Sequence, residues 1–248
     1  MTSTYDRIAR FYDVDMAQNM RFDDVAFYAH QCVRARGPAL ELGCGNGRIL
    51  LPLLERGVSI VGVDVSAPML RDLANKAAKR GIAACTVRAD VRTLPFIDEF
   101  AAVLCPYSLI TYMTTDADTH AMLSAARDAL VARGLIAIDA FVPREVTATG
   151  FRQDYERSWG SFTLVRHKRI APQDDGTNRI ERRYELRRAD GRVAETIEVA
   201  ETIRPRTPDD LRTLAARAGF TPVDEAWDYA SRPGRDGAQF FTLVARKA

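Results

Sequence analysis

The stretch Ala39-Leu40-Glu41-Leu42-Gly43-Cys44-Gly45-Asn46-Gly47 constrains this chain more than any other. A short apolar run, Ala39–Leu42, meets three glycines at alternate positions. The next segment, Arg48–Arg56, carries Ile49, Leu50, Leu53 and Leu54 on one helical face. Pro52 sits in its first turn or just beyond, where a missing N–H costs least. Glycines at this spacing allow tight turning and let a ligand touch the backbone. A strand, a glycine loop and a helix in that order mark the place where open α/β sheets bind ligands. The helix N-terminus behind the loop favours an anionic group. The nicotinamide fingerprint G-x-G-x-x-G fails in both frames, because its third position falls on Arg48 or on Leu50.

The alternation continues downstream. Ser59–Asp64 is a β-branched run ending in a carboxylate, and Ser66 with Pro68 just inside opens a helix to about Arg80. Ala84–Arg88 and Ala101–Pro106 read as strands, Asp116–Ala132 as a helix, and Leu135–Phe141 as a further apolar strand. Short apolar strands alternating with helices predict an α/β, doubly wound parallel sheet covered on both faces. Residues 5–35 read as helical, with Asp23-Asp24 starting a helix and Gly37-Pro38 ending it. From Phe151 the helical period vanishes. Arg179–Arg188 and Val193–Ile203 alternate, with Ala189-Asp190-Gly191-Arg192 as a turn between them. The region predicts a three-stranded antiparallel meander. Thr207-Pro208 then caps a helix closed by Gly219, and Thr221–Tyr229 and Ala238–Ala245 are two last strands.

The 248 residues leave one or two domains open, and this pattern resolves them into one core with two additions. The additions are an N-terminal helical lid over 1–36 and an antiparallel β insert over 151–203; the core is 37–150 and 204–248. Hydrophobic residues make up 47% and charged residues 27%, which excludes a disordered or collagenous chain. A net charge of +2 argues against charge-driven binding to nucleic acid or an anionic membrane. No secretory signal and no long apolar span are visible, and Cys32, Cys44, Cys85 and Cys105 lack C-x-x-C spacing. A cytoplasmic protein with reduced thiols is expected.

The glycine loop reads E-x-G-x-G-x-G from Glu41, and 17 positions after Gly47 a second strand ends in Asp64. Val65-Ser66-Ala67-Pro68-Met69-Leu70 follows, and Ala89-Asp90-Val91-Arg92 follows the third strand. Together these resemble the motifs of class I S-adenosylmethionine-dependent methyltransferases, over about residues 38–142 and 207–248. The resemblance implies a Rossmann-like sheet of seven strands with the last antiparallel, and S-adenosyl-L-methionine as cofactor. It implies cofactor contacts from Tyr5, Glu41, Gly43, Cys44, Gly45, Gly47, Asp64, Val65, Met69, Asp90, Val91 and Cys105. Asp64 would accept the ribose hydroxyls, Val65 and Met69 would pack near the adenine, and Asp90 would meet its amino group. Gly134 matches the family's usual P-G-G turn only in part, because Arg133 replaces one glycine. Methyl transfer from a sulfonium is an in-line displacement, so the protein mainly supplies alignment and water exclusion.

For the acceptor, Leu104-Cys105-Pro106-Tyr107-Ser108 lacks the [DNS]-P-P-[YF] of enzymes acting on base amino groups. Cys105 precedes its proline, the wrong order for an RNA cytosine-C5 nucleophile. Asp139 stands alone on its strand, so no metal is invoked. Tyr5-Asp6-Arg7-Ile8-Ala9-Arg10-Phe11-Tyr12-Asp13 resembles the opening of many small-molecule methyltransferases. The insert resembles those of bacterial aminosugar, peptide α-N- and heterocycle (toxoflavin-type) N-methyltransferases. Tyr12, Tyr107, Ser108, Tyr112, Met113, Arg152 and Trp159 are the candidate acceptor residues, and Tyr12 and Tyr107 the catalytic candidates. Phe162, Trp227 and Tyr229 could add walls, and Arg166 and Arg182 with Arg152 could hold an anionic substrate. His30, His120 and His167 have no motif partner. The expected activity is N-methylation of a small natural-product intermediate, by a monomer or homodimer. O-methylation, a non-catalytic cofactor-binding module and a nicotinamide reductase are the alternatives.

Overall fold

The computed structural model describes residues 4–17, 19–230 and 236–248. Two short helices, α1 (Thr4–Ile8) and α2 (Tyr12–Met16), flank a 3-10 turn at Ala9–Phe11, and α3 (Asp24–Ala35) follows. Next come β1 (Ala39–Leu42), α4 (Leu50–Glu55), β2 (Ile60–Asp64), α5 (Ala67–Lys79), β3 (Cys85–Arg88) and β4 (Phe100–Cys105). A 3-10 turn at Leu109–Tyr112, α6 (Asp116–Ala129) and β5 (Leu130–Phe141) complete the first half. The insert holds β6 (Arg152–Trp159), β7 (Phe162–Pro172), β8 (Asn178–Arg187) and β9 (Val193–Ile203). The chain closes with α7 (Pro208–Arg217), β10 (Phe220–Trp227) and β11 (Phe240–Lys247).

Local side-chain chemistry starts these helices. The Asp23 carboxylate accepts from the Ala26 N–H at 2.9 Å, and the Ser66 hydroxyl accepts from Met69 at 3.3 Å. Thr207 and Asp210 form a reciprocal capping box on α7. The chain leaves α3 through Arg36, in the left-handed region at φ +56°, one residue ahead of the Gly37-Pro38 stop.

Seven strands form one sheet in the order β10-β11-β5-β4-β1-β2-β3. All neighbouring pairs from β3 to β5 are parallel, and β11 runs antiparallel to both β5 and β10. The order reverses between β1 and β4, the point where open α/β sheets leave a crevice outside the carboxyl ends of their strands. Leu40, Leu42, Val63, Val103, Ile136 and Ile138 from the strands pack with Met122, Leu123 and Ala126 of α6 and Leu211 and Ala215 of α7. Neighbours β1 and β4 are buried along their whole length, which explains their lack of polar alternation.

The contacts divide the chain into two compact units. Residues Phe22–Pro143 and Pro205–Ala248 form the unit with the seven-stranded sheet. Described residues up to Arg21, together with Arg144–Arg204, form the other. In that second unit β6, β7, β8 and β9 make an antiparallel sheet in sequence order. One face buries Leu164, Tyr184, Leu186, Ile197 and Val199 against Ile8 and Phe11. The three-stranded meander is therefore corrected to four strands. The extra one, β6, is polar at most positions and turns into β7 through Gly160 at φ +56°. The helical stretch expected over 5–35 is likewise divided: its first part packs on the insert sheet, and α3 belongs to the unit of the seven-stranded sheet. Among the described residues no helix is long and apolar enough to cross a membrane.

Candidate active site

The loop after β1 is built by backbone that only glycine adopts cheaply. Gly43, Gly45 and Gly47 have φ of +65°, +52° and +88°. At Gly47 a Cβ would lie 2.8 Å from Leu51 Cγ, so α4 could not approach. At Gly45 the nearest atom to an added Cβ is Met69 Cε at 3.5 Å, which leaves a shallow cradle over the loop. The Gly45 N–H donates to Asp64 Oδ2 at 2.9 Å, and the Ser66 N–H donates to Asp64 Oδ1 at 2.8 Å. Two amides thus fix the carboxylate at the end of β2, and each oxygen keeps capacity to accept from a ligand hydroxyl. Met69 is buried against the loop, whereas Val65 stays 47% exposed. Cys44 is buried, its N–H donating to the Val63 carbonyl at 3.0 Å.

Beneath the loop lies Glu41, 2% exposed, with Oε2 lacking a hydrogen-bond partner. Burial pushes its carboxyl up to about 8, while the charge of Arg48 pulls it down. Arg48 itself donates from Nη1 to Oδ1 of the buried Asp24 of α3 at 3.1 Å, with Nη2 2.8 Å from Oδ2 in the ion pair, and its guanidinium lies 5.3 Å from the Tyr107 ring centre.

The turn after β4 is strained at two successive side-chain-bearing residues, Tyr107 at φ +56° and Ser108 at φ +58°. Asp139, wholly buried on β5, holds it there. Its carboxylate accepts from the N–H groups of Tyr107 (2.9 Å) and Ser108 (2.6 Å). It also accepts from the hydroxyls of Tyr28 and Tyr229, each at 2.6 Å. Burial raises the Asp139 carboxyl above its ordinary value, and the four donors oppose that rise. The Ser108 hydroxyl accepts from the Phe141 N–H at 2.6 Å, so Ser108 faces the sheet rather than a ligand. Leu109 packs on the glycine loop, its methyl groups 3.0 Å from where a Gly43 Cβ would stand. Tyr112 and Met113 are half-buried, and the Met113 carbonyl accepts from Arg206 at 3.1 Å. Cys105 is fully buried, and burial pushes its thiol up, which removes it as a nucleophile.

Sequence reasoning gives Asp139, Tyr28 and Arg48 no role in the site. The available signal was an aspartate inside the apolar strand Leu135–Phe141, since a buried charge in such a strand must find donors. Asp90 stands at the carboxyl end of β3, where Arg92 grips it through Nε at 3.0 Å and Nη2 at 2.6 Å and holds its carboxyl below the usual range. Val91 is buried in the core. Tyr5, Tyr12, Arg152 and Trp159 lie in the other unit. Tyr5 and Tyr12 meet edge to face at 5.8 Å, Trp159 packs edge-on against Phe11 at 6.0 Å, and Arg152 is exposed. Arg166 and Arg182 are committed there to Asp15 with Asp154 and to Glu201, respectively.

Residues 39–134 match the family described as "Methyltransferase domain". The nocamycin O-methyltransferase of Saccharothrix syringae is 37% identical over 89 residues, 34% of this chain and 31% of that protein. That match therefore spans under a third of the relative's length. The glycine/sarcosine N-methyltransferase of Halorhodospira halochloris is 26% identical over 212 residues, covering 84% of this chain and 74% of its own. The structure of the sugar N-methyltransferase KedS8 from a Streptoalloteichus species superposes with a TM-score of 0.74 at 21% identity, covering 99% of this chain and 94% of that one.

Proposed function

We propose that this chain, whose residues 39–134 match a methyltransferase domain family, uses S-adenosylmethionine to methylate a nitrogen atom of a small molecule. The cofactor supplies a methyl group already activated on a sulfonium. The residues present fit it: a left-handed glycine cradle with room above Gly45, and a carboxylate able to accept from vicinal hydroxyls. The observation that carries the reading is the double amide clamp on Asp64, from Gly45 and Ser66. It orients the carboxylate before any ligand arrives, so binding spends little on ordering it.

The rest of the site positions rather than reacts. Asp139 fixes the turn that bears Tyr107, and the Arg48 guanidinium lies near that ring. An in-line transfer gains from such rigid alignment. A neutral amine brings its own lone pair and needs no strong base, whereas a hydroxyl must lose a proton. In the unit of the seven-stranded sheet both histidines, His30 and His120, occupy exposed helix positions. That favours nitrogen. Likeness to a sugar N-methyltransferase and to a glycine/sarcosine N-methyltransferase supports the same choice. The O-methyl reading keeps one specific support, the 37% local identity to nocamycin O-methyltransferase.

The test is calorimetric titration with S-adenosylhomocysteine, followed by incubation with methyl-labelled cofactor and a panel of amines and alcohols. Binding and label on nitrogen are expected. Absence of binding overturns the cofactor reading, and label found on oxygen alone overturns the choice of nitrogen.

A further inference from the structure

The apolar face of the four-stranded sheet changes character towards one end. Arg152 on β6 is registered opposite Lys168 on β7, and Lys168 is opposite Arg182 on β8. Residues paired in this way share a face, so three cations form one row across three strands. Like charges directly opposite are unfavourable, and such a row calls for acids. The acids of this face are already committed. Asp15 accepts from Arg166 and from the hydroxyls of Tyr155 and Tyr184. Asp154 takes the other side of Arg166 at 2.6 Å, and Glu201 takes Arg182 at 2.8 Å.

Lys168 is left over. It is half-buried, and among the described residues its ammonium makes neither a hydrogen bond nor an ion pair. Burial, with Arg182 and Arg166 beside it, lowers its amine below the ordinary lysine range, while Asp154 and Asp15 pull the other way. A half-buried ammonium without a counterion is unfavourable, and an arriving anion relieves it.

We propose that Lys168, flanked by Arg182 and Arg152, is a binding site for an oxyanion: the carboxylate or phosphate group of a small molecule. The lysine supplies a point charge, and the guanidiniums add flat, directed donors. The site lies within the four-stranded unit and does not depend on the methyl-transfer reading.

The experiment compares the wild-type protein with Lys168→Met, which keeps the apolar stem and removes the charge. Melting temperature is followed while inorganic phosphate, and separately acetate, is titrated at constant ionic strength with chloride as balance. Without oxyanion, Lys168→Met is expected to melt a few degrees above wild type, because an uncompensated charge is gone. Phosphate is expected to raise the wild-type melting temperature with a saturable midpoint, with the midpoint for Lys168→Met at least tenfold higher. Saturation by phosphate but not acetate assigns a phosphate group, and saturation by both assigns a general carboxylate or phosphate site. A response equal in the two proteins, or one that does not saturate, overturns the site. Affinity for S-adenosylhomocysteine, measured on both proteins, separates this outcome from failure of the cofactor reading.

Discussion

Asp139 and Asp15 are both buried aspartates, each in a different unit, and each accepts from two tyrosine hydroxyls. What completes the shell differs. Asp139 is finished by two backbone N–H groups of a strained turn, and Asp15 by the guanidinium of Arg166. The first arrangement uses the buried charge to hold backbone in an uncommon conformation. The second uses it to hold a cation within a sheet. A carboxylate surrounded by neutral donors shapes a loop, whereas a carboxylate with a counterion staples side chains together.

Asp139→Ala should break the first arrangement with the largest effect. Two tyrosine hydroxyls and two amides lose their acceptor, and a buried group left unpaired costs ~1–3 kcal/mol each. A loss of ~5 kcal/mol is expected by chemical denaturation, a large part of an ordinary domain's stability. Asp139→Asn keeps shape and some acceptor capacity, so a loss as large as that of the alanine variant would refute the role given to the four donors.

Arg166→Met breaks the second. It leaves Asp15 buried without its cation, and removing one partner of a buried pair costs ~3–5 kcal/mol. The double variant Arg166→Met with Asp15→Asn should recover most of the loss. If it does not, Arg166 acts through its packing on the Tyr155 ring, 4.4 Å away, and the counterion contrast falls.

Asp64→Ala tests the glycine-loop side on ligand rather than on fold. Affinity for S-adenosylhomocysteine should drop about 100-fold, ~3 kcal/mol, by calorimetric titration. Unchanged affinity would move the cofactor away from the end of β2.

The glycine loop and the parallel sheet were legible because backbone demands narrow the residue choice: three left-handed positions ask for glycine, and buried parallel strands ask for apolar runs. The Asp139 shell was not legible. Its members Tyr28, Tyr229 and the Tyr107-Ser108 turn are brought together only by tertiary packing, and nothing local to Tyr28 distinguishes it from a core tyrosine. The strand β6 escaped for a related reason. Gln153, Asp154 and Glu156 are exposed, so the alternation that betrays a strand is carried by Tyr155, Arg157 and Trp159, only half-buried themselves. The lone aspartate in an apolar strand was the visible clue, since a buried charge there must find donors.

Glu41 extends the contrast to an acid with neither arrangement, and the expected effect is the smallest. Its carboxyl rises from the ordinary carboxylate range to about 8, chiefly by burial. In the unfolded chain the group is ionised above its ordinary value, while in the folded protein it stays protonated until near pH 8. Between those values the folded state binds more protons, so its stability falls as pH rises, by ~1 kcal/mol per pH unit. The loss begins above the ordinary carboxylate value and is complete above pH 8. Glu41→Gln cannot ionise, so subtracting its stability curve from that of the wild type between pH 5.5 and 7.5 should leave a downward slope of that size, totalling ~2 kcal/mol. Contributions from Asp139 and the other carboxylates are common to both proteins and cancel in the difference. A flat difference would mean that Glu41 is ionised in the fold, with the Arg48 charge outweighing burial. Arg48 would then serve as counterion to Glu41 as it already does to Asp24.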